Sequence, residues 1–175
     1  MTIALEISRL LAQVHDDLTL RRRLRLRVGD DPTESAAEVL HPVVTAPDLP
    51  RGEYLDPDPP PTTVEWLGRA LQPLLIGNDR IAEVITAVCC TDLAYAAPLD
   101  DWAARDAKPI WRAVVDLLGD DARWWSNANL AGSDLSHGVF TDGVSWTAVT
   151  TFTFDVALVG KATDATVAVL AFADD

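Results

Sequence analysis

The alternation of apolar and polar positions is clearest near the C-terminus. Apolar residues, with Thr150 as the exception, occupy every even position from Val144 to Leu158, and polar residues including Asp155 occupy most odd positions. A period of two predicts one long strand with one face on a core. The Asp142-Gly143 pair predicts a hairpin turn before it, so residues 136–141 are expected to form the preceding strand.

The last apolar segment, residues 166–173, has no polar face. A strand that is apolar on both faces is typical of a position inside a sheet. We therefore expect residues 160–165 to turn the chain and residues 166–173 to form an interior strand.

Helical spacing dominates the earlier part of the chain. Apolar residues recur three and four positions apart and predict helical structure over 3–17, 63–96 and 101–118. Within 63–96, Pro73 is expected to kink or end the first helix, and Asn78 to cap the next one. Pro109 is expected to open the second half of 101–118, because proline suits the first turn of a helix. Between the helices, most even positions from Leu18 to Val28 are apolar and the odd positions are Thr19 and arginines, which favours a strand over residues 18–28, with a continued helix as the alternative.

Two helix starts are predicted from capping chemistry. Asp31 is expected to cap a short helix that Pro42 limits, with Pro32 in its first turn. The spacing Thr62-x-x-Glu65 is that of a capping box, in which a hydroxyl and a carboxylate satisfy the first N–H groups. Residues 45–61 hold six of the eleven prolines, so we expect a long surface loop there.

These elements predict an α+β fold in one domain spanning residues 1–175. Helices are expected to pack on one face of a C-terminal antiparallel sheet, a meander or hairpin, to which residues 18–28 add an N-terminal strand. A chain of this length can bury an adequate core without disulfides or metals.

Charge limits the partners of the protein. The net charge is −13, which disfavours nucleic acid and anionic membranes and favours encounter with a basic protein. No leader or membrane-spanning segment is visible, and the two cysteines, Cys89 and Cys90, are neighbours that cannot easily form a disulfide. These features predict a cytoplasmic protein with free thiols.

Catalytic motifs of the phosphate-binding, hydrolase and zinc types are absent, and we expect neither a cofactor nor a metal. Asp134 and His137, in a Gly- and Ser-rich segment, are the candidate catalytic pair, either as base and orienter or as two metal ligands. The alternative is a polar loop whose side chains satisfy turn backbone. Cys89 and Cys90 are expected to be buried and inert.

Trp124 and Trp125, with Asn127 and Asn129 downstream, are the candidate binding residues. Adjacent residues of a strand point to opposite faces, so both indoles cannot enter one core from a regular strand. Either one indole is exposed for a partner, or an irregular segment buries both. The five arginines between Arg21 and Arg27 either form ion pairs within the protein or bind an acidic group.

Three functions fit these observations. The first is a non-catalytic acidic module of the inhibitor or immunity type that binds a basic partner. The second is a small hydrolase centred on Asp134 and His137. The third is a structural or regulatory subunit that forms a homo-oligomer through tryptophan-rich surface.

Overall fold

The computed structural model describes residues 2–15, 23–52, 59–95, 97–99, 101–132 and 144–174. The helices are α1 (Ile3–His15), α2 (Ala36–Val44), α3 (Val64–Ala70), α4 (Asn78–Cys90) and α5 (Asp101–Leu118). The strands are β1 (Leu24–Gly29), β2 (Gln72–Pro73), β3 (Thr91–Asp92), β4 (Ala97–Pro98), β5 (Arg123–Ser126), β6 (Phe154–Lys161) and β7 (Thr166–Ala173).

Five strands form one antiparallel sheet in the order β1-β7-β6-β5-β2. At its centre Leu158 pairs with Val169, and on the other side of β7 Val169 pairs with Leu26. Strands β3 and β4 form a separate two-stranded ladder. The α+β class, the antiparallel sheet and the added N-terminal strand are therefore confirmed, and β1 lies at one edge of the sheet.

Helices cover both faces of the sheet, which corrects the expectation of packing on one face. Helices α1, α4 and α5 share a core with Leu158 and Val169, whereas α2 and α3 share a core with Val159 and Leu170. Successive strand residues face opposite ways, so a strand that is apolar on both faces needs a cover on each side. The sequence of β7 already carried this requirement.

The predicted strand at 166–173 matches β7, which lies between β1 and β6 and is buried along its whole length. The predicted strand over 144–158 is only partly correct, because β6 begins at Phe154. Before it, Trp146 alone pairs with Ala128 as an isolated bridge. The predicted turn at Asp142-Gly143 and strand at 136–141 lie outside the described residues.

Helix starts differ from the predictions by a few residues. Ser35, rather than Asp31, caps α2 and forms a capping box with Glu38. Asp31 instead accepts hydrogen bonds from the backbone and hydroxyl of Thr33. Thr63, one residue after the predicted cap, accepts from Trp66 N and begins α3.

Two prolines also lie where the sequence did not place them. Pro42 and Pro109 lie inside α2 and α5 respectively, not at a helix end. Both helices bury residues beside the proline: Val43 in α2 and Ala107 and Trp111 in α5. Tertiary packing therefore outweighs the one N–H that each proline removes.

The described arginines of the basic run make ion pairs within the protein. Arg23 pairs with Asp92, and Arg27 pairs with Glu34 at 3.0 Å. Arg25 lies over the ring of Phe172, with 5.5 Å between guanidinium carbon and ring centroid. These contacts agree with the ion-pair interpretation of the run; Arg21 and Arg22 lie outside the described residues. Across the described helices, none is long and apolar enough to cross a membrane.

Candidate functional site

The two adjacent tryptophans lie on opposite faces of β5. Trp124 is buried in the core of α1, α4 and α5, while Trp125 packs at the border of the other core. Trp124 lies directly against Gly160, where an added Cβ would come within 2.6 Å of the indole ring. A regular strand with a core on each side thus accommodates both indoles, an arrangement that neither sequence alternative contained.

A fully buried carboxylate, Asp155, links the segment that follows β5 to residues 149 and 150 through hydrogen bonds. Its Oδ2 accepts hydrogen bonds from Thr150 N at 2.8 Å, Thr150 Oγ1 at 2.7 Å and Val149 N at 3.0 Å. Its Oδ1 accepts from Asn127 Nδ2 at 2.8 Å. The carboxylate therefore replaces a neighbouring strand as the acceptor for the N–H groups of residues 149 and 150.

Burial raises the pKa of Asp155 from its ordinary 3.8 to about 6. Hydrogen bonds from Thr150, Val149 and Asn127 favour the charged form and offset part of this effect. Every hydrogen bond to Asp155 named above comes from a donor within the protein. This carboxylate therefore has a structural role, because it fixes the backbone of residues 147–152.

Asn127 connects three segments through one amide. Its Oδ1 accepts from Ala157 N at 2.7 Å, and its Nδ2 donates to Thr147 O at 2.9 Å as well as to Asp155. The side chain is buried, and its donors and acceptor are engaged. Asn127 is thus a positioning residue for the wall of the cleft described next.

A cleft of about 300 Å³ lies next to β5. One wall is formed by β2 and the C-terminal end of α3, and the other by the two segments that the Ala128–Trp146 bridge joins. The residues that line the cleft are Ala70, Gln72, Pro73, Leu74, Asn127, Ala128, Asn129, Ala131, Ser145, Trp146 and Thr147. None of these residues, which all belong to the described part of the chain, is charged. Trp146 is 37% exposed and contacts Phe154, with 5.8 Å between ring centroids.

The cleft unites two of the four predicted binding residues, Asn127 and Asn129, and it does not include Trp124 or Trp125. Asp134 and His137 lie outside the described residues. Cys89 and Cys90 are free and buried, and burial raises the pKa of Cys90 to about 12 and that of Cys89 well above its ordinary value. Such thiols are poor nucleophiles, because the thiolate is the reactive form.

Sequence reasoning missed Asp155 and Trp146. Asp155 was assigned to the polar face of a regular strand, and Trp146 to the face of that strand on the core. A usable signal was present, because Asp155 is the single charged residue between Asp142 and Lys161. A lone carboxylate in such a segment is a candidate for burial with a full set of donors.

The described residues contain no group of three or more His, Cys, Asp and Glu side chains placed to hold a metal ion. In the described part of its lining, the cleft offers neutral hydrogen-bonding groups and the aromatic ring of Trp146. Comparisons with protein-family models, with curated proteins and with solved structures find no match to this chain.

Proposed function

We propose that this protein is a non-catalytic binding module of the inhibitor or immunity type that recognises a basic protein partner. The observation that carries the proposal is the excess of exposed carboxylates. Eleven acidic side chains in the described part are exposed, against six basic ones. The exposed acids are Asp30, Asp31, Glu38, Asp48, Glu65, Asp79, Glu83, Asp116, Asp120, Asp121 and Asp164.

The basic side chains add little positive charge to this surface because many are already paired. Arg27 pairs with Glu34, Arg69 with Glu65, and Arg112 with both Asp79 and Asp116. The uncompensated charge is therefore negative and spread over exposed positions. Such a surface increases the rate of encounter with a basic protein and repels phosphate.

The chemistry of the described interior supports binding rather than catalysis. The described residues that line the cleft include no titratable side chain, the buried carboxylate of Asp155 accepts hydrogen bonds from donors within the protein, and burial keeps both thiols protonated. General acid–base or nucleophilic catalysis needs at least one such group within reach of a substrate.

Two charge variants of opposite sign test the proposal. Asp30, Asp121 and Asp164 are exposed and pair with no described basic residue, so replacing all three with Asn removes negative charge without breaking a known contact. The matched control replaces the exposed Arg51, Lys108 and Arg123 with Gln. Each protein is immobilised and used to capture partners from the source cell extract at several salt concentrations.

We expect the wild type to retain a basic protein whose affinity falls steadily as salt rises. Affinity should weaken in the Asp variant and stay equal or increase in the control, because only the first reduces the charge of −13. Capture of acidic proteins only, or binding that is insensitive to salt and to both variants, would refute the proposal.

The other two functions stay predictions. A hydrolase centred on Asp134 and His137 depends on residues outside the described part. For a homo-oligomer formed through exposed tryptophans, Trp111 and Trp124 are both buried, whereas Trp146 is 37% exposed. Sedimentation at high protein concentration tests the oligomer directly.

A further inference from the structure

The described residues that line the cleft between β2 and the Ala128–Trp146 bridge are all uncharged, although the protein is strongly acidic. The eleven lining residues within the described part include no Asp, Glu, Lys, Arg or His, whereas 23% of the whole chain is charged. Fixed charges select ions, and amides and hydroxyls select neutral polar groups. The lining therefore suits a neutral ligand.

Polar groups around the cleft are left unused by the described residues. Asn129, Ser145 and Thr147 make no side-chain hydrogen bond within the described part, and Gln72 uses only its Nε2, which donates to Arg69 O at 3.1 Å. Asn127, by contrast, is saturated. The cleft thus combines one rigid amide in its wall with four adaptable polar groups at its surface.

The backbone of the walls is already hydrogen-bonded. Leu74 N donates to Trp124 O at 2.8 Å, Asn129 N to Ser145 O at 2.8 Å, and Thr147 N to Asn127 O at 2.9 Å. Ala128 N donates to the Ser126 hydroxyl at 3.1 Å. An extended peptide that adds as a strand needs free main-chain partners, so these walls favour a ligand held by side chains.

An aromatic ring completes the set. Trp146 is partly exposed and contacts Phe154, and Pro73 and Leu74 supply apolar surface among the lining residues. The flat side of an indole packs well against a ligand ring that presents C–H groups on one side, and such a ring can carry hydroxyl groups around its edge. Protein amides and hydroxyls placed around the indole can then form hydrogen bonds with the hydroxyl groups of the ligand.

We propose that this cleft binds a neutral carbohydrate, one face of whose ring packs on Trp146 while its hydroxyls bond to Asn129, Ser145, Thr147 and Gln72. A volume of about 300 Å³ is at the small end of ligand pockets, which suits one or two sugar rings. The site is separate from the proposed recognition of a basic protein and does not depend on it.

Ligand-observed NMR and calorimetry with the full chain test this site. The probes are glucose, galactose, mannose and N-acetylglucosamine, with glucuronate as a charged sugar and a capped neutral tetrapeptide as the peptide alternative. The variants Asn129→Ala and Ser145→Ala change exposed side chains, and Gln13→Ala on α1 is the matched exposed control.

We expect saturable millimolar binding of at least one neutral sugar, insensitive to salt, and weaker binding of glucuronate. Each cleft variant should weaken binding about fivefold, as for the loss of one net hydrogen bond, and Gln13→Ala should leave it unchanged. Trp146→Ala should abolish binding while the other two variants, which keep the ring, retain a measurable part.

Three outcomes would overturn the proposal: no neutral sugar binds, the tetrapeptide binds more tightly than every sugar, or Asn129→Ala and Ser145→Ala both bind like the wild type. The triple Asp variant separates the two functions. It should leave sugar binding unchanged while it weakens capture of a basic partner.

Discussion

Strands β6 and β7 pair over eight residues each and bury both faces, whereas the segment 144–153 that leads into β6 meets the sheet only through the bridge at Trp146. In sequence, the alternation of apolar and polar residues runs through 144–153 and into the first half of β6, whereas β7 is apolar on both faces. In β6 and β7, apolar contacts on two sides fix the strands. In the segment 144–153, four backbone N–H groups donate to side-chain oxygens. Val149 N and Thr150 N donate to Asp155, Phe152 N donates to Thr150, and Thr153 N donates to Asp174.

This difference shows that an apolar period of two predicts burial more reliably than it predicts pairing. The even residues Phe152 and Val156 are both buried, although only the second lies in a strand. A single buried carboxylate is enough to turn the backbone of 149–150 away from a ladder, because its oxygens accept several N–H groups at once. Residues 145–147 of the segment 144–153 form part of the wall of the cleft.

The largest expected effect tests the centre of the sheet. Leu170 in β7 is fully buried against α2 and α3, so Leu170→Ala should lower the free energy of unfolding by about 2–5 kcal/mol through lost burial and a cavity. Urea denaturation measures the change. Leu5→Ala on the 46% exposed Leu5 of α1 is the control and should change stability by less than about 0.5 kcal/mol. Equal effects at the two positions would contradict the assigned core.

A somewhat smaller effect tests the margin of the sheet, by which we mean the segment 144–153 that leads into β6. Asp155→Asn places an NH2 group opposite backbone or amide donors, so we expect a loss of about 3 kcal/mol from donors left unpaired in the interior. Hydrogen exchange should show lost protection first at Val149 and Thr150, with β7 still protected. Asp164→Asn, on an exposed turn residue, is the matched control. Uniform loss of protection across β7 would contradict the separation of centre and margin.

The smallest effect is a pH dependence that belongs to the margin alone. The pKa of Asp155 rises from 3.8 to about 6 on folding, so between these values the folded protein binds more protons than the unfolded chain. The stability contribution of this group is therefore complete below about pH 4 and is lost as pH rises through about 6, by roughly 2–3 kcal/mol.

The hydrogen bonds from Thr33 and Ser35 lower the pKa values of Asp31 and Glu38, so the contribution of these two groups to stability changes with pH in the opposite direction. The quantity to measure is therefore the stability of the wild type minus that of Asp155→Asn at each pH. The carboxyl carbon shift of Asp155 in NMR gives its pKa directly. A midpoint near 4 or below would contradict the expectation.

The candidate site was less predictable than the fold. Sequence identified Asn127 and Asn129, because amides after a strand suit polar turns and binding sites alike. It could not identify Trp146 or the walls of the cleft, because Gln72 and Trp146 are far apart in the chain and meet only through β5. The sequence also gave no means of telling that Asn127 is saturated while Asn129 remains available.

By itself the sequence determined the apolar strand at 166–173 and most of the helices, because local periodicity and burial agree there. For the arginine-rich segment it favoured a strand over a helix, and β1 bears this out. Tertiary structure decided three further features: helices on both faces, Trp124 and Trp125 in opposite cores, and a loop in place of a strand over 147–153. Each depends on which distant group accepts a hydrogen bond or fills a space. Spacing along the chain does not contain that information.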